Sequence, residues 1–120
     1  MLIDGMHVML WSDKTNELRA FLRDVLEFPA IESGGGWMKF RHIETEMGCH
    51  ERSDVEQQNT PSVELSFFCH NLDQTVTSLK KKGVILLTDI VPAGHGRTIN
   101  FQAPGGFRFE LYEPRMSPES

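Results

Sequence analysis

Apolar and polar residues alternate along several short stretches of this chain, and two longer stretches repeat at helical spacing. In Leu2–Trp11, Met6, Val8 and Leu10 fall on one face and Ile3, Gly5, His7 and Met9 on the other, the period of a strand. Ser12 and Asp13 follow as candidate helix caps, because a short side-chain oxygen accepts from the free N–H groups of a first turn. Leu18, Phe21, Leu22, Val25 and Leu26 then recur at i, i+3, i+4, i+7 and i+8, one apolar helical stripe that Phe28-Pro29 ends. Short strands are expected over Pro29–Ser33, Trp37–Arg41 and Glu44–Glu51, with Gly34-Gly35-Gly36 turning between the first two.

Arg52–Pro61 is polar and aperiodic and reads as a linker. Beyond it Val63, Leu65, Phe67 and Cys69 alternate with Glu64, Ser66 and Phe68, another strand. Asn71 caps a second helix carrying Leu72, Val76 and Leu79, and Lys80-Lys81-Lys82-Gly83 stops it. Strands over Val84–Leu87 and Arg97–Ala103 flank a Pro92–Gly96 loop. Gly105-Gly106 then turns into a run with Phe107, Phe109 and Leu111 on one face and Arg108, Glu110 and Tyr112 on the other, closed by Pro114.

The order strand–helix–strand–strand–strand thus occurs twice. Each half is too small to bury its own sheet, so the two should pair. The predicted fold is α+β: two paired βαβββ modules, 2–51 and 62–114, joined by linker 52–61 and followed by tail 115–120. They would form curved open mixed sheets around a cleft, as one domain.

Charge narrows the partners. A formal net charge of -5 argues against nucleic acid or an anionic membrane. No apolar run approaches the roughly 20 residues of a membrane helix, and no signal pattern opens the chain. Cys49 and Cys69 make no CxxC and no framework, which points to reduced thiols and a cytoplasmic protein.

Overlaying the halves brings out candidate chemistry. His7 falls on Glu64, and Glu110 falls on Gly48, so three of four equivalent positions hold metal-competent side chains. All three sit on strand faces opposite the main apolar rows. An imidazole with two carboxylates suits a divalent ion such as Mn, Fe, Zn or Ni, and three protein ligands leave coordination positions open for substrate. A structural role competes with this reading: His7 as a buried, satisfied histidine, and Glu64 in a salt bridge to Arg97 or Arg108. His50 and Tyr112, equivalent to each other, are candidate acid/base groups or exposed strand residues. His95, between two glycines, is a substrate contact or plain surface. Trp37 and Phe68 line a pocket or the core.

Asp4-Gly5-Met6-His7-Val8, Phe21–Phe28, Val63-Glu64-Leu65-Ser66-Phe67 ahead of Asn71-Leu72-Asp73, Gly83-Val84, His95-Gly96-Arg97 and Gly105–Glu110 form an ordered set over residues 2–114. On these residues the chain resembles the vicinal oxygen chelate superfamily of glyoxalase I, fosfomycin-resistance thiol transferases, extradiol dioxygenases and bleomycin-resistance proteins. The resemblance implies metal ligands at His7, Glu64 and Glu110 and chelation of two neighbouring oxygens of a small molecule. The chemistry implied is of lyase/isomerase, transferase or dioxygenase type. It further implies a homodimer in which His7 comes from one subunit and Glu64 with Glu110 from the other. Trp37, Phe68, His95, Arg97 and Arg108 are then expected to contact substrate. Two departures stand out: the middle ligand is usually His in fosfomycin-type members and is Glu64 here, and Gly48 vacates the fourth ligand position of glyoxalase I. The resemblance also covers another class, metal-free proteins that sequester a planar drug or metabolite.

Overall fold

A computed structural model of the chain describes residues 2, 7–34, 37–41, 43–45, 47–48, 63–94 and 96–115. Helix α1 (Thr15–Ala20) continues through a π-helical turn at Phe21–Val25. It is followed by β1 (Ala30–Gly34) and β2 (Trp37–Phe40), and then by β3 (Ser66–Phe68) and helix α2 (Leu72–Lys81). Strands β4 (Val91–Ala93), β5 (Gly96–Ala103) and β6 (Phe107–Pro114) complete the order. β1 and β2 make an antiparallel pair, and the other four strands make a mixed sheet ordered β3-β6-β5-β4. Within it β3 and β6 run parallel while the β6–β5 and β5–β4 pairs are antiparallel. The second βαβββ module is therefore complete.

The strand expected at Leu2–Trp11 is corrected over its described part: His7–Trp11 joins no ladder. Alternation dictates faces but supplies no lateral partner, and Val8, Met9 and Trp11 stay exposed. Likewise Glu44, Thr45, Met47 and Gly48 lie outside any strand, and Val84–Leu87 reduces to a bridge between Leu86 and Phe101. The 52–61 linker, residues 116–120 of the tail and Cys49 lie outside the described residues. Cys69 carries no disulfide. No described helix is long and apolar enough to cross a membrane.

Both helices pack on one face of the four-stranded sheet. The stripe residues Leu18 and Leu22 meet Leu72, Val76 and Leu79 of α2 over Ile99, Phe101, Phe109 and Leu111. Phe67 links sheet to hairpin, with its ring centroid 4.9 Å from Phe109 and 5.2 Å from Phe28, which itself lies 6.3 Å from Phe40. Period-2 alternation in β5 and β6 thus sends one set of side chains into the core. It leaves Glu110, Tyr112, Asn100 and Thr98 on the opposite face.

Helix ends follow local chemistry with one exception. Asn71 Oδ1 accepts from Gln74 N at 3.0 Å, as expected of a cap. Ser12 instead bonds Lys14 N at 3.0 Å, forming a turn before α1, which starts without a side-chain cap. At the far end of that helix Lys82 donates to Val25 O at 2.8 Å and pairs with Glu27, placing a cation where the helix carbonyls need one.

Glu113 ties α2 to the sheet. Its carboxylate accepts from Leu72 N at 2.8 Å and from Arg97 at 3.0 and 3.3 Å, while Arg97 also reaches Asp73 at 2.9 Å. The Arg97 guanidinium, and then the Leu72 N–H, hold the Glu113 carboxyl below its usual value. A depressed carboxyl contributes stability that is present above its unfolded value and lost as pH falls through the folded one. Glu113→Gln should therefore lower Tm by a few degrees at neutral pH and flatten the acid limb. Thermal melts between about pH 3 and 7 check this.

Candidate functional site

The face opposite the core is built in rows across β3, β6 and β5. Parallel pairing sets Ser66 against Glu110 and Phe68 against Tyr112, and antiparallel pairing sets Asn100 against Glu110 and Thr98 against Tyr112. The middle row is thus Ser66, Glu110, Asn100, and the next is Phe68, Tyr112, Thr98. Neighbouring strands stand about 4.8 Å apart, so each row is one group of touching side chains.

Glu64, two residues before Ser66, lies near enough to Glu110 for its carboxylate to disfavour ionisation there. Two like charges this near repel, which favours the neutral form of Glu110. Glu110 is half-buried. Burial first, and then the Glu64 carboxylate, push its carboxyl above the usual range, while a hydrogen bond donated by Ser66 pulls the other way. The salt bridge considered for Glu64 is not formed among the described residues. Arg97 is engaged by Glu113 and Asp73, and Arg108 makes no ion pair there. No ion pair to either carboxylate is formed among the described residues.

The structure thus brings Glu64 and Glu110 together, with Tyr112, Phe68 and exposed Arg108 on the same face. It does not bring His7 to them within one chain. His7 lies in the exposed segment before α1, and no group of three His, Cys, Asp or Glu among the described residues is placed to hold a metal ion. Arg97 sits on the other face. Alternation from Ile99 and Phe101 sends it to the helix side, where Glu113 takes it. His50 and His95 lie outside the described residues, as does the side chain of Trp37. Ser66 and Asn100 are additions to the candidate list. Alternation places both on the polar face, but their approach to Glu110 depends on strand register, which no periodicity contains. Two grooves, of about 420 and 270 Å³, lie on the helix side beside Val25 and Lys82, and neither reaches Glu110.

Comparison with known proteins places this arrangement. A sequence profile of the Glyoxalase/Bleomycin resistance protein/Dioxygenase superfamily matches residues 6–111. The chain belongs to this superfamily. Its fold is also found in lactoylglutathione lyase from Agrobacterium tumefaciens, with a TM-score of 0.60 at 16% identity over 91% of this chain and 94% of that one. TnmS3, an antibiotic binding protein from a Streptomyces species, superimposes with a TM-score of 0.65 at 15% identity, covering 94% and 99% of the two chains. A variant of the fosfomycin resistance protein FosX from Listeria monocytogenes, solved with Mn(II) and 1S,2S-dihydroxypropylphosphonic acid, gives 0.59 at 20% identity over 95% of each. No curated protein matches the sequence significantly. Within the glyoxalase superfamily fold, the Glu64–Glu110 pair lies on the sheet face away from both helices.

Proposed function

We infer that this glyoxalase-superfamily protein is a metal-dependent enzyme acting on a small molecule through two neighbouring oxygens. Glu64 and Glu110 of one chain and His7 of a second copy would hold a divalent ion, Mn, Fe, Zn or Ni. The observation that carries this reading is the nearness of the two carboxylates, with no ion pair to either among the described residues. That donor set fits a hard or borderline divalent ion, whose charge offsets the repulsion between the two carboxylates. When bound, such an ion acts as a Lewis acid toward substrate oxygens. Lactoylglutathione lyase, FosX and TnmS3 lend the family context in which small molecules are acted on or bound.

A homodimer supports the third ligand. Val8, Met9 and Trp11 are 61%, 41% and 83% exposed around His7, an apolar strip that a second copy would cover. This chain's own groups supply the rest. Glu64 or Glu110 serves as base where the reaction moves a proton, Tyr112 is the next acid/base candidate with His50, and Phe68 and Arg108 bound the substrate, joined by Trp37 and His95. Arg97 is not included, since the helix face holds it. Lyase/isomerase, transferase and dioxygenase chemistry all suit such a centre.

The second reading, metal-free sequestration of a planar drug or metabolite, draws on the same pair. Glu64 and Glu110 would receive a cationic group while Phe68 and Tyr112 stack on a ring, and the likeness to TnmS3 favours it. Metal analysis of protein purified without chelator and then offered Mn, Fe, Ni and Zn separates the two. Close to one ion per chain is expected, lost in Glu110→Ala. A wild type that stays metal-free after loading sinks the enzyme reading.

A further inference from the structure

The parallel register of β3 on β6 sets Ser66 directly against Glu110, and no other pairing of these strands would do so. A slip by one residue would bring Leu65 or Phe67 to that place. Ser66 and Glu110 thus stand side by side on one face, and the Ser66 hydroxyl favours the ionised form of the Glu110 carboxyl. Glu64 approaches the same carboxylate from one step further back along the chain, on the same face. Glu110 thus has a hydroxyl and a carboxylate beside it, both from one neighbouring segment. A carboxylate on its terminal torsion otherwise rotates through a broad range.

We propose that Ser66 is a positioning residue for Glu110, its hydroxyl holding one carboxylate oxygen so that the other is presented toward Glu64. The inference rests on the metal-binding reading of this pair and deepens it. Groups that bond a ligand carboxylate from outside fix its orientation and sharpen affinity for the ion. Ser66 does so without contacting substrate or the reacting atoms. Asn100 flanks Glu110 from the other side, in β5.

Manganese titration of the full chain tests this, with free Mn(II) read by electron paramagnetic resonance. Ser66→Ala should weaken Mn(II) binding about tenfold, the scale of losing one outer hydrogen bond to a ligand. Ser66→Thr keeps the hydroxyl on a residue suited to strands and should restore most of the affinity. Melting temperatures of both variants in chelator should match the wild type. Unchanged Mn(II) affinity in Ser66→Ala overturns the positioning role, as does a loss that Ser66→Thr fails to restore. A lowered metal-free Tm that accounts for the weaker binding overturns it too. A wild type that takes up none of Mn, Fe, Ni or Zn overturns the metal-binding reading itself, and the role of Ser66 with it.

Discussion

Glu110→Gln should stabilise the metal-free protein in mildly alkaline buffer and at the same time weaken divalent-ion binding by about 100-fold or more, roughly 3 kcal/mol. Both effects follow from one contact. In the folded chain Glu110 is half-buried against Glu64, so its carboxyl titrates above the usual range, first through burial and then through its neighbour's charge. A carboxyl raised on folding binds more protons in the native state than in the unfolded one. Stability from it is therefore complete below the unfolded value of about 4.5 and falls as pH rises through the folded value. Glutamine cannot ionise, so this loss disappears. Melts in chelator across that range should show wild type declining where Glu110→Gln stays level. If the variant is instead less stable than wild type at the alkaline end, the pair is not repulsive and its reading as a waiting cation site fails.

The slope runs opposite to that at Glu113, where an arginine lowers the carboxyl. Two glutamates three residues apart on one strand thus respond to pH in opposite directions because alternation puts them on different faces.

Phe101→Ala is the second large effect, a loss of about 3–5 kcal/mol in unfolding free energy. Phe101 is 1% exposed, its ring lies 6.2 Å from Phe21 and 5.9 Å from Phe109, and its backbone bridges to Leu86. No described side chain but Phe101 joins the first helix to the middle of the four-stranded sheet through ring stacking. The cavity left by alanine would open to Leu22 and Val76 across the same interface. Against a total of about 5–15 kcal/mol such a loss is severe. Urea melts with an unchanged slope and a shifted midpoint would confirm it. A loss under about 1.5 kcal/mol would show that the helices do not close over Phe101.

Much of this architecture was legible in the sequence because it is local. The apolar stripe from Leu18 to Leu22, the Asn71 cap and the alternation in Phe107–Leu111 each draw on chemistry within a few residues, and the structure has all three. The polar face bearing Glu64 and Glu110 was legible on the same ground. What escaped was lateral. Leu2–Trp11 alternates as well as any strand in the chain, yet over His7–Trp11 it finds no ladder, because pairing depends on a surface that alternation does not describe. Arg97, expected to contact substrate or to pair with Glu64, stands in register with Glu113 and bonds to it on the helix side. The helix itself widens at Phe21–Val25, where Leu26 N reaches back five residues to Phe21 O, and Glu27 takes a positive φ of 64° before the chain turns to β1. The apolar spacing contains no sign of that widening.

The position of β6 between β3 and β5 has a consequence for how the chain acquires its form. During synthesis β3 emerges some 40 residues before the strand that will flank it, and in that interval its backbone and Phe67 have no lateral support from the sheet. β5 and β6, joined by a tight turn, can zip early, whereas closing β3 onto them is a long-range event of the kind that slows folding. A nascent chain halted between Ala103 and Phe107 would expose Phe101 and Ile99 along an open strand, the state in which association with other nascent chains competes with folding. Glu110 comes beside the segment that carries Glu64 only when that closure is made, so the carboxylate pair reports the completed fold.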